Sequence, residues 1–151
     1  MNTYFRRGRL LLCFAVTLSI AASAVGQAPD ADLKKLQGTW VCVATLKDGK
    51  AVQSYVGVKA VIIDTDLTWH FPQKDGSVRE QKNKFRIDSA KNPKHFNWWR
   101  EGKTEANADQ RIYSVDGDTL KWGTNLDYKT RPASFDKAVW QFTVKRVRDS
   151  K

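Results

Sequence analysis

From Gly38 to the C-terminus the chain is a succession of short β-type runs separated by turn signals, and no segment in that stretch carries a sustained helical period. The clearest run is Leu67–Phe71, where Leu67, Trp69 and Phe71 alternate with Thr68 and His70. Two-fold alternation of this kind buries one face of a strand and leaves the other polar. Seven further runs read as strands: Thr39–Leu46, with both faces fairly apolar, the β-branched Val58–Ile63, Val78–Ile87 with a highly charged middle, His95–Arg100, Gln110–Val115, Thr119–Thr124 and Ala138–Val147. Asp48-Gly49, Asp75-Gly76 and Asp116-Gly117-Asp118 stand between runs as tight-turn signals. Ala51–Gly57 fits neither strand nor helix clearly. Eight strands joined by short turns predict an all-β, up-and-down barrel, with an open two-sheet sandwich as the second choice. Closure of the sheet removes exposed strand edges. A barrel of eight strands holds packed side chains or one small ligand.

Ahead of the first strand, Asp30 or Asp32 can cap one or two helical turns, and Gly38 supplies a left-handed stop. Trp40 then opens the first strand, and we expect it to plug one end of the barrel.

The N-terminus is read separately. Arg6, Arg7 and Arg9 precede a 13-residue apolar run, Leu10–Ala22, followed by the small-residue sites Ala22-Ser23-Ala24 and Ala24-Val25-Gly26. This order is that of a secretory leader. The run falls short of the roughly 20 apolar residues that span a bilayer. Residues 1–26 are therefore assigned to a cleaved signal peptide and 27–151 to a single β-barrel domain, exported to the periplasm or the medium, with no transmembrane segment after cleavage. Loss of the three leader arginines takes 26 basic residues to 23 against 16 acids, so the mature net charge is +7. The bases are scattered and interleaved with acids, which argues against a nucleic-acid partner.

After cleavage one cysteine remains, Cys42. It has no partner for an internal disulfide, and cysteine-paired zinc or iron–sulfur sites are excluded by count. The domain must be held by packing, for which it has 14 aromatic side chains.

Several stretches resemble a known family. Leu36-Gln37-Gly38-Thr39-Trp40 followed by Asp48-Gly49-Lys50 is similar to the opening of the lipocalin-like domain family of uncharacterised exported proteins common in planctomycete bacteria. Phe85-Arg86-Ile87-Asp88 with Asn92-Pro93-Lys94, the Asp116-Gly117-Asp118-Thr119-Leu120 element, Arg131-Pro132-Ala133-Ser134-Phe135 and the closing Phe142-Thr143-Val144-Lys145-Arg146 fit the same pattern. The resemblance covers about residues 32 to 147. It implies an eight-stranded lipocalin-like barrel with a short N-terminal helix, and no activity that carries over. It also implies a structural pair at the barrel end, Trp40 with a basic residue of the last strand crossing its ring: Arg146 first, Lys145 second. The chain departs from the family at Trp122-Gly123-Thr124, where a cysteine is frequent.

Chemistry is sparse. His70 and His95 are the only histidines, too few for a metal site without converging carboxylates. Ser134 has no histidine or acid at a recognisable spacing. Asp116-Gly117-Asp118 lacks the further oxygens of a calcium loop and reads as a turn. No catalytic residue, metal or cofactor is assigned, and the chain is read as non-enzymatic. Two binding readings follow. In one, Trp69, Phe71, Trp122, Trp140 and Phe142 line the interior around a small apolar or amphipathic ligand. In the other, Trp98 or Trp99 with Arg100 forms a surface contact for an acidic envelope polymer or protein. Adjacent strand residues face opposite ways, so one of the two tryptophans must face outward. Arg131-Pro132-x-x-Phe135 is read as a latch that stiffens the 125–137 loop, with Phe135 anchoring it over one barrel end.

If the leader assignment holds, N-terminal sequencing of the exported protein will begin at Val25 or Gln27. An intact Met1 in the exported fraction would refute it.

Overall fold

The structure, a computed structural model, describes residues 31–148. The leader at 1–26 and the Asp30 cap lie outside these residues. A short helix α1 (Ala31–Leu36) leads into β1 (Gly38–Lys47), β2 (Lys50–Val52), β3 (Lys59–Ile63), β4 (Asp66–Pro72), β5 (Val78–Asp88), β6 (Lys94–Arg100), β7 (Asp109–Asp116), β8 (Thr119–Thr124) and β9 (Trp140–Arg146). β3 through β9 form an antiparallel meander, and β1 pairs with both β3 and β9. Eight strands thus close into an antiparallel barrel.

β2 is the ninth segment, and it settles the ambiguous stretch. Asp48 and Gly49 take positive φ angles of 50° and 75°, the geometry that turns a two-residue hairpin. β2 then runs back along the end of β1, pairing Thr45 with Val52 and Lys47 with Lys50. The 53–57 turn carries the chain on to β3. Gly57 N donates to Cys42 O at 2.8 Å, and Cys42 N donates to Val58 O at 2.9 Å. β2, the turn and β3 together cover one edge of β1.

The alternation expected along β1 breaks at one point. A bulge between Cys42 and Ala44 leaves Val43 without a ladder partner. One extra residue reverses the parity of everything beyond it. Trp40 and Cys42 are buried, and beyond the bulge it is Thr45, not Ala44, that is buried. Cys42 Sγ lies 3.5 Å from Thr45 Oγ1 on the same side. Burial raises the thiol's pKa above its ordinary value. Cys42 is a small buried core residue.

One end of the barrel is closed. Trp40 is fully buried, and its Nε1 donates to Leu36 O at 2.8 Å. The Arg146 guanidinium lies 4.2 Å from the centre of the Trp40 ring. Its Nε donates to Asp118 at 3.1 Å, its Nη2 to Lys35 O at 2.7 Å, and its Nη1 to Gln37 O. Gly38 sits at φ 111°, where an added Cβ would come within 3.1 Å of Arg146 Nη1. Only glycine lets the backbone pass this close.

Asp32 does not act as an exposed cap. Its carboxylate turns down onto the barrel and is 4% exposed. It accepts from Tyr113 Oη at 3.1 Å, from Lys94 Nζ at 2.5 Å and from Lys35 Nζ at 3.1 Å. Burial alone would raise its pKa, but the hydrogen bonds from Lys94, Lys35 and Tyr113 outweigh it and hold the carboxyl below the usual range. Below this cap the interior is filled. Phe85 and Phe96 stack at 4.8 Å, and Phe96 meets both Tyr113 and Trp122 edge-on.

The connection between β8 and β9 divides: Tyr128 lies at the open end of the barrel, whereas the later part, with Pro132 and Ala138, packs on the outer face. Pro132 and Ala138 are buried. Gly123 explains the fit, since a Cβ there would come within 3.0 Å of Ile112 Cγ1 and 3.1 Å of the Ala138 Cβ. Arg131 fastens the loop through Nη2 to Asn97 Oδ1 at 2.5 Å and through Nη1 to Arg111 O. These bonds hold this part of the loop to the barrel wall, because Asn97 projects from the outside of β6.

Replacing Arg146 by Ala removes a ring stack and several charge-assisted hydrogen bonds, and chemical denaturation should show a loss of about 2–4 kcal/mol. Arg146→Lys should recover less than half of it, since an ammonium cannot bridge the same groups. For Asp32, a lowered folded-state pKa means stabilisation present above the unfolded value and lost as pH falls through the folded one. Asp32→Asn should therefore cost about 2 kcal/mol at neutral pH. That gap should close as thermal melts are repeated below about pH 4. A pH-independent gap would show that the charge of Asp32 contributes nothing.

Candidate ligand cavity

The end opposite Trp40 is hollow. A cavity of about 530 Å³ opens there to solvent. Its volume falls within the roughly 300–1,000 Å³ typical of small-molecule sites. Strand direction explains its lining. β4 and β9 carry Trp69, Phe71, Trp140 and Phe142 to this end, on the faces whose deeper positions, Leu67 and Val144, are core. β6 and β7 supply Trp98, Arg100, Asp109 and Arg111 to the same wall.

The interior set predicted from sequence divides by depth. Trp69, Phe71, Trp140 and Phe142 line the cavity. Trp122 lies beneath it, 1% exposed, with its ring 5.5 Å from that of Trp69. The surface trio divides by face. Trp98 turns inward, 6.2 Å from Trp69, and its Nε1 donates to Asp109 Oδ2 at 2.8 Å. Trp99 stands on the opposite face of β6, half-buried at the rim, and Arg100 is exposed at the mouth. The two predicted groups thus meet around one cavity.

Three residues there were not singled out in the sequence. Tyr55 and Tyr128 reach the mouth from the β2–β3 and β8–β9 connections. Both take positive φ, 70° and 56°, a conformation uncommon for a side chain of this size. Tyr55 meets Phe142 edge-on at 5.3 Å, Trp140 at 6.2 Å and Phe71 at 6.4 Å. Tyr128 is set by the Asp127 turn, in which Asp127 accepts from Thr130 N and Thr130 Oγ1. Gln110 N donates to Tyr128 O at 2.7 Å, tying that turn to β7. Neither tyrosine lies in a run with strand periodicity, so pattern reading passes over them.

Arg111 is the third. It occupies an inward position of β7 and is 8% exposed. Its guanidinium lies 4.3 Å from the Trp98 ring centre, 5.9 Å from Tyr128 and 6.0 Å from Phe142. Nη2 is 3.5 Å from Asp109 Oδ2. Burial pulls its pKa down to about 10, with Asp109 opposing, so it is charged at neutral pH. A signal was present: Arg111 has the same strand parity as Tyr113 and Val115.

Neither histidine lines the cavity. His70 faces outward and lies 3.4 Å from Glu80. His95 is at the far end of β6, its pKa lowered by burial and then by Arg131 and Lys91 against Asp88. Among the described residues no cluster of three or more His, Cys, Asp or Glu could hold a metal, and no helix is long and apolar enough to cross a membrane.

Comparison with protein-family models and with curated proteins returned no match for this chain. Among solved structures, a lipocalin-like protein from Bacteroides uniformis superposes with a TM-score of 0.55 at 10% sequence identity, covering 75% of this chain and 99% of that one. At this identity the likeness speaks for the fold: a lipocalin-like barrel.

Proposed function

We propose that this chain is an exported, non-catalytic lipocalin-like protein that binds one small apolar or amphipathic molecule in the open end of its barrel. We place it with the exported lipocalin-like proteins of planctomycetes that its motifs resemble. The observation that carries the reading is the aromatic cavity itself, about 530 Å³ walled by Trp69, Phe71, Trp98, Trp140 and Phe142. Filling such a volume with an apolar body would remove water from these ring faces, and each square ångström so buried contributes about 25 cal/mol. Export rests on the leader-like order of residues 1–26. A contact with acidic polymers through Trp98, Trp99 and Arg100 has less support, because Trp98 is turned inward and bonded to Asp109.

The test is a fluorescence titration with phenylnaphthylamine, a neutral probe that brightens in dry surroundings. Saturable binding at one site per chain is expected. Phe142→Ala should weaken it about tenfold, the cost of roughly one well-packed aromatic contact. No saturable signal, or one indifferent to Phe142, would refute a ligand in this cavity.

A further inference from the structure

The cavity wall is apolar but its charges are unbalanced. Arg100, Lys103 and Arg111 line it against a single carboxylate, Asp109, which leaves a charge of +2. Two of the cations are exposed at the rim, whereas Arg111 is buried among rings. A cation removed from water is costly unless it is well paired. Arg111 is paired poorly. Its contact with Asp109 is 3.5 Å, against the roughly 2.7–2.9 Å of a charge-assisted hydrogen bond. The same Asp109 oxygen already accepts from Trp98 Nε1. Arg111 Nε has no partner within the protein.

The neighbouring orphans point the same way. Among the described residues the buried side-chain polar atoms without a partner are Arg111 Nε, Trp69 Nε1 and Trp122 Nε1. All three are donors. Two belong to cavity-lining residues, and the third lies directly beneath Trp69. These donors are already shielded from water without an acceptor, and a purely apolar occupant would leave that cost standing. An occupant with anionic oxygens would complement it.

We propose that the cavity selects monoanionic amphiphiles, with an apolar body among the rings and a carboxylate or sulfonate head against the Arg111 guanidinium, over neutral molecules of the same shape. This rests on the ligand-binding reading above and names the class of ligand. The guanidinium fork suits two oxygens on one head group. The Trp98, Tyr128 and Phe142 rings around it hold the fork in place. The rim cations Arg100 and Lys103 would draw anions toward the mouth.

The experiment uses the mature chain and two probes that differ by one group: anilinonaphthalene sulfonate and the neutral phenylnaphthylamine. Decanoate and decanol serve as matched competitors. The anionic member of each pair should bind about tenfold tighter or more, as one buried charge-assisted contact implies. In Arg111→Met the preference for the anionic over the neutral member of each pair should vanish, and Arg111→Lys should keep part of it. Salt separates the buried cation from the rim. A preference that persists at about 0.5 M salt belongs to Arg111, whereas one that collapses belongs to Arg100 and Lys103 and overturns the assignment. That comparison needs only the native chain, so it stands even if Arg111→Met fails to fold. Equal binding of anionic and neutral partners overturns the proposal and leaves the ligand-binding reading intact. Equal loss of both probes in a folded Arg111→Met assigns Arg111 to the scaffold and overturns it too. If neither probe binds the native chain, the ligand-binding reading itself fails.

Discussion

The stack of Arg146 on Trp40 is the contact on which the rest of the barrel depends. One guanidinium joins the last strand to the first, reaches two carbonyls at the end of α1 and its exit, and meets Asp118 in the turn between β7 and β8. It therefore ties the first and last strands of the barrel and the β7–β8 hairpin at one point. A closed sheet needs its first and last strands held in register, and this pair holds them where Trp40 faces Arg146 across the ladder. Burial of the ring beneath a fixed charge also seals that end from water. Asp32 repeats the arrangement across the same end, tying α1 to Tyr113 and Lys94.

Sealing one end this firmly is what allows the other to stay hollow. Toward Trp40 the interior is filled by Phe85, Phe96, Tyr113, Trp122 and Leu120. Toward the mouth the rings of Trp69, Phe71, Trp140 and Phe142 line space instead of filling it. Apolar ring area that faces open space adds less to folding than area packed against other side chains. The two tyrosines at positive φ belong to the same economy of structure. The Tyr55 carbonyl accepts from Val58 N and the Tyr128 carbonyl from Gln110 N, and both rings lie at the opening.

Much of the architecture could be read in advance. The alternation of Leu67, Trp69 and Phe71, the Asp-Gly turns and the Gly38-x-Trp40 opening predicted the strands, and the strands predicted the barrel. Boundaries moved where loops took over: the last strand begins at Trp140, not Ala138, because Ala138 is engaged by Gly123 on the outer face. Periodicity failed at β1, where a single bulged residue, Val43, exchanges the two faces beyond it. No pattern in the sequence marks that insertion, since both faces of the strand are fairly apolar. The split of Trp98 from Trp99 followed from strand geometry, but which ring turned inward did not.

The chain by itself determined what local chemistry controls: where strands run, where they turn and which end carries Trp40. These depend on side chains a few positions apart. Tertiary structure alone decided which aromatics fill the interior and which line it, since depth along the barrel axis depends on how eight strands stagger against one another. It also decided the setting of Arg111. An arginine on an alternating strand reads as a solvated residue until closure of the sheet surrounds it with Trp98, Tyr128 and Phe142, side chains that lie 13, 17 and 31 positions away in the chain.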